Sequence, residues 1–124
     1  MRRGIATALL CSLAVIASAA EAAEKFQRLS GSQIHAKLAG MEMTDDVHWR
    51  DTFERNGTLT SHGMGRKTGG TWRVEKDELC VTRGKDESNC YQVWLAGKKV
   101  ELRREGSSLP IEGVLEKPTT RRPP

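Results

Sequence analysis

The sequence predicts a mainly β fold, a small antiparallel meander that is barrel-like or strongly curled, with one short amino-terminal helix. Three observations carry this reading. Apolar residues recur with a period of two from Met41 onward, glycine-containing turn signals interrupt that period at short intervals, and a single helix-start signature stands ahead of it.

The helix signature is Leu29-Ser30-Gly31-Ser32-Gln33-Ile34. Ser30 is placed to cap the first turn, and Gln33, three residues on, to reach back to the Ser30 amide, which makes a capping box. Leu29 and Ile34 flank the cap as a hydrophobic staple. Ile34 and Leu38 share one face and Gly40 is a natural stop, so the helix is expected over Gly31 to Ala39. Isolated helices this short are unstable in water, so it must dock on the sheet.

In the strand region Met41 and Met43 alternate with Glu42 and Thr44, and Asp45-Asp46 turns the chain. Val47, Trp49 and Phe53 follow, Asn56-Gly57 is a turn signal, and Thr58-Leu59-Thr60 resumes the extended pattern. Gly63 to Gly70 is too glycine-rich for a continuous strand and reads as a mobile loop or a sharply bent strand. Thr71 to Val74 alternates cleanly and Lys76-Asp77 reads as a hairpin. Leu79 and Val81 point away from Cys80 and Thr82, and Tyr91, Val93 and Leu95 away from Cys90, Gln92 and Trp94. Setting Cys80 opposite Cys90 puts Leu79 opposite Tyr91, and all five apolar residues then share one face, with the cysteines on the other. Gly97-Lys98 turns again, Val100 and Leu102 alternate, and a last strand is expected from Ile111 to Leu115. The sum is a helix and about seven short strands with tight connections, a spacing that favours a small barrel.

The first residues set the compartment. Arg2 and Arg3 precede an apolar run from Ile5 to Ala17, and Ala20-Glu21-Ala22 offers small residues at a cleavage spacing. The run is short of the roughly 20 apolar residues a spanning helix needs. Residues 1–22 therefore read as a signal peptide, 23–116 as one β-rich domain and 117–124 as a disordered basic, proline-rich tail. A periplasmic or secreted protein without a stable membrane anchor is the expectation. Cys11 leaves with the leader and follows Leu10 in mid-run, which does not suit a lipid-anchoring cysteine. Cys80 and Cys90 remain, and in an oxidising compartment an even pair is most simply a disulfide, two free thiols or a metal pair being the alternatives.

Charge and motifs exclude more than they assign. The 20 basic and 16 acidic residues fall to 18 and 15 once Arg2, Arg3 and Glu21 are removed, and both signs are interspersed, unlike the stripe of a nucleic-acid binder. No nucleic-acid partner is expected. Gly65-Arg66-Lys67-Thr68 fails as a phosphate loop, because Arg66 separates the glycine from Lys67-Thr68 and Thr60 stands where an earlier glycine is required. His35, His48 and His62 have no prearranged metal spacing, so no metal or cofactor is assigned. Ser61-His62 places neighbours on opposite faces of a strand, and no serine sits in a Gly-x-Ser-x-Gly elbow. No catalytic residue is assigned and the chain is read as non-enzymatic. Trp94, Trp72 and Trp49 are the candidate ligand-contact residues, with core packing the competing role.

Leu29-Ser30-Gly31, Asn56-Gly57-Thr58, Gly70 to Val74, Leu79-Cys80 and Cys90-Tyr91 together resemble a group of small exported proteobacterial proteins of uncharacterised function. The resemblance spans roughly Leu29 to Leu102 and implies a periplasmic, disulfide-bearing β fold without an assigned activity. A looser similarity is to periplasmic protease-inhibitor barrels, which plug an enzyme with an extended amino-terminal segment; Ala23 to Arg28 would be that segment here. The functional expectation is a binding protein for a protein or small envelope ligand. A protease or hydrolase inhibitor and a structural or stress-related envelope protein are the alternatives.

Overall fold

A computed structural model describes residues 25–85 and 88–118, together with Gly4. Apart from Gly4, the leader reading over 1–22 lies outside the described residues, as does the tail from Thr119 onward.

The elements run β1 (Gln27–Arg28), α1 (Gly31–Leu38), β2 (Met41–Thr44), β3 (Trp49–Phe53), β4 (Thr58–Gly63), β5 (Arg66–Glu75), β6 (Glu78–Arg83), β7 (Asn89–Ala96), β8 (Lys99–Arg103) and β9 (Ile111–Glu116). Strands β2 to β9 pair each with the next, and β9 pairs back with β2, so eight antiparallel strands close an up-and-down barrel. Closure removes the open edges that a free meander would expose. The short β1 adds alongside the second half of β7, where Gln27 faces Leu95 and Arg28 faces Trp94.

Local chemistry explains the helix and the hairpins. The Ser30 side chain accepts from the Gln33 amide while the Gln33 side chain accepts from the Ser30 amide, so the capping box is complete. Gly40, at φ 77°, ends the helix and donates its N–H to the Phe53 carbonyl at 2.7 Å. Met64-Gly65 and Lys76-Asp77 both take positive φ at two successive residues, the geometry of tight hairpins whose twist matches the strands.

The segment expected as a mobile loop or a sharply bent strand at Gly63 to Gly70 is a strand–hairpin–strand: β4 ends at Gly63 and β5 runs unbroken from Arg66. The glycines serve the barrel wall. A Cβ at Gly70 would overlap the Thr82 carbonyl oxygen, so glycine there lets β5 close onto β6.

The register around the disulfide is the expected one. Cys80 pairs with Cys90 and is bonded to it, and Leu79 pairs with Tyr91. Leu79 and Val93 are fully buried, so the face opposite the bridge is the barrel interior. With Phe53, Leu59, Val100 and the helix residues Ile34 and Leu38, they pack the end of the barrel that α1 covers.

Candidate functional site at the open end of the barrel

Chain direction places the β2–β3, β4–β5, β6–β7 and β8–β9 connections at the end away from α1. There the alternation that carries apolar residues inward continues, but the residues change. On β3 the inward phase reads Trp49, Asp51, Phe53; on β4 it reads Leu59, Ser61, Gly63; on β6 it reads Leu79, Val81, Arg83. Asp51 faces Ser61 directly across the β3–β4 ladder. Arg83 reaches across the lumen to both: its guanidinium donates to Asp51 Oδ1 at 3.0 Å and Oδ2 at 2.6 Å, and to the Ser61 hydroxyl oxygen.

The ion pair is asymmetric in its exposure. The Asp51 side chain is 8% exposed and that of Arg83 42%. Asp51 therefore sits in the wall, and Arg83 presents its other side to the open end. Hydrogen bonds to Asp51 hold the Arg83 guanidinium in its charged form, more than offsetting its partial desolvation.

Above this pair lies a cavity of about 560 Å³. Met43, Trp49, Tyr91, Leu102 and Ile111 give it apolar walls, Asp51, Ser61, Thr68 and Arg83 supply polar atoms, and His62 and Arg66 also border it. Inward positions without side chains help to open it: Gly63 faces Trp49 across the ladder and lines the space. At Gly113, by contrast, the Met43 side chain fills the room, with its Cε 3.1 Å from where a Cβ would stand.

The loop that aims Trp49 is tied down by Asp45. Its Oδ1 accepts the backbone N–H groups of Val47, His48 and Trp49, and its Oδ2 meets the His48 ring at 2.8 Å. Desolvation works in the other direction, yet these hydrogen bonds together hold the Asp45 carboxyl far below the usual carboxylate range. A carboxylate depressed in the folded state contributes stability that is present above its unfolded value and lost as pH falls through the folded one. Asp45→Ala should therefore lower the thermal midpoint at neutral pH and make little difference in strong acid, as followed by circular dichroism. An equal loss at both extremes would show that the carboxylate charge is not what holds the loop.

The three tryptophans separate. Trp49 is half-buried and lines the cavity. Trp72 is core: its indole N–H donates to the Glu54 carbonyl at 2.8 Å, and its ring meets Phe53 edge-on and lies 5.6 Å from His35. Trp94 lies on the outer wall beneath the Arg103 guanidinium, 4.1 Å from the ring centroid, away from the cavity. The two cysteines are bonded to each other, which leaves no thiol pair for a metal. His62 and His48 border a groove of about 300 Å³ on the outer side of the rim and do not converge on a third ligand among the described residues.

Asp51, Ser61 and Arg83 were missed by motif reasoning because no spacing links them. Their signal was phase: each is a polar residue on the inward beat of an otherwise apolar strand.

Fold and site together define a small closed β-barrel with one end packed and the other hollow. Comparisons with protein-family models, curated proteins and solved structures return no match. No helix among the described residues is long and apolar enough to cross a membrane.

Proposed function

We propose that the chain is an exported, non-enzymatic binding protein that holds a small amphiphilic molecule in the open end of its barrel. The observation that carries this is the mouth cavity, with apolar walls and an arginine on its floor. Ligand sites are typically concave, mostly apolar and furnished with a few converging polar groups, at volumes of roughly 300–1,000 Å³. The apolar part of a ligand would lie on Trp49, Tyr91, Leu102 and Ile111. Of the five N–H donors of a guanidinium, three are taken by Asp51 and Ser61, and among the described residues nothing accepts from the other two, which an acceptor entering from the mouth could take.

Binding is favoured over catalysis because, among the described residues, no base is hydrogen-bonded to the Ser61 hydroxyl: Ser61 receives an N–H from Arg83, and Asp51 is the ion-pair partner of that same arginine. The export half of the reading is supported by the leader pattern and by the Cys80–Cys90 bridge. An inhibitor that plugs its target with a free amino terminus is less well supported, since Gln27 and Arg28 are paired with β7.

The test is uptake of an environment-sensitive anionic fluorophore such as anilinonaphthalene sulfonate by the native and Thr68→Trp proteins. Thr68 is exposed and lines the cavity, so an indole there fills the mouth without entering the core. One equivalent should bind the native protein, and Thr68→Trp should weaken binding by roughly tenfold or more with an unchanged thermal midpoint. No uptake, or equal uptake by both, would overturn the reading.

A further inference from the structure

Among the described residues, every large apolar side chain left exposed stands at the same end of the barrel. Val47, 69% exposed, tips the β2–β3 loop; Met64, 88% exposed, tips the β4–β5 hairpin; Leu109, 80% exposed, lies on the β8–β9 loop with Ile111 just beyond it. Val47 and Met64 border the outer groove, Met64 and Ile111 border the interior cavity, and Leu109 stands two residues before Ile111 in the chain, so these tips lie at the one open end. The connections at the packed end carry polar residues instead, Glu54-Arg55-Asn56, Lys76-Asp77 and Gly97-Lys98. Singly scattered apolar residues are ordinary on a protein surface, whereas their confinement to loop tips at one pole is not.

We propose that this rim docks on a lipid bilayer, with Val47, Met64 and Leu109 entering the boundary between headgroups and acyl chains. The distribution of the tips selects lipid over a protein partner. Protein interfaces centre on a contiguous, closely packed patch with aromatic or arginine anchors. Here the apolar side chains stand on three separate loops with polar chain between them, and a fluid surface closes around each one independently. Exposed Arg66 and Lys67 follow Met64 in its hairpin, and exposed Lys85 and Arg104 lie on connections at the same end of the barrel, where polar headgroups can pair with them. Exposed Asp46 and Glu105 share the rim, and Asp86 and Glu87 follow Lys85 in the chain, so the charges on these connections balance and the apolar tips supply the attraction. Docked in this way, the cavity mouth faces the phase in which amphiphiles reside. The inference does not require the ligand reading to hold.

The experiment is flotation of the purified, disulfide-bonded protein with vesicles of phosphatidylcholine and phosphatidylglycerol in equal parts, native against Val47→Asp/Leu109→Asp. The native protein should rise with the vesicles, and the double variant should lose roughly tenfold in its bound-to-free ratio. Neither position lines the interior cavity, so the variant should take up the fluorophore as the native protein does, which separates failure of docking from failure of ligand binding. A native protein that stays at the bottom of the gradient, a variant that floats equally well, or binding wholly abolished by molar salt would each overturn the proposal.

Discussion

Arg83→Met should melt well below the native protein, because it leaves the buried Asp51 carboxylate in the barrel wall without its cation. Breaking a fully buried pair by removing one partner costs about 3–5 kcal/mol. Arg83 is partly open to solvent, so water can reach one side of the site, and about 2–3 kcal/mol is the appropriate discounted range. In a domain of this size that is a fall of roughly 10–20 °C in Tm. Asp51→Leu/Arg83→Met should recover most of the loss, since no unpaired charge remains and both replacements are apolar. Thermal unfolding of the two singles and the double, read as a cycle, separates the pair from its parts. An Arg83→Met protein within about 0.5 kcal/mol of native would show that the pair is solvated and the cavity floor is not a desolvated site.

The second large effect belongs to the disulfide. Cys80 and Cys90 are separated by 10 residues, so their bond closes a short loop in the unfolded chain. The chain-entropy account gives such a loop roughly 2–3 kcal/mol. Cys80→Ala/Cys90→Ala should therefore lower Tm by about 10–20 °C, a large part of what a domain near 100 residues has to lose. Reductant should destabilise the native protein and leave the double variant unchanged. Identical non-reducing midpoints for native and variant would show that the bridge is not formed in the isolated protein.

These two effects differ in how far the sequence revealed them. The bridge was legible because two independent regularities agreed: pairing Cys80 with Cys90 aligned Leu79, Val81, Tyr91, Val93 and Leu95 on one face, and the observed ladder has that register. The capping box at Ser30 and Gln33 was equally legible, since it is written within four residues. The ion pair was not. Asp51 and Arg83 are 32 residues apart and on non-adjacent strands, and they meet because the sheet closes on itself. The glycine-rich stretch misled for a related reason. Gly70 looks like a strand breaker until the Thr82 carbonyl is seen in the space its side chain would need.

The chain by itself determined what local forces decide: where the helix starts, where the hairpins turn, which residues alternate, and which face carries the disulfide. Tertiary structure alone decided that eight strands close into a barrel, that one end is packed and the other hollow, and that Asp51, Ser61 and Arg83 converge on the floor of the mouth. The physical reason is range. Capping, turn geometry and strand alternation act over a few residues, whereas a cavity is the volume left when distant strands have met and no side chain fills the space between them.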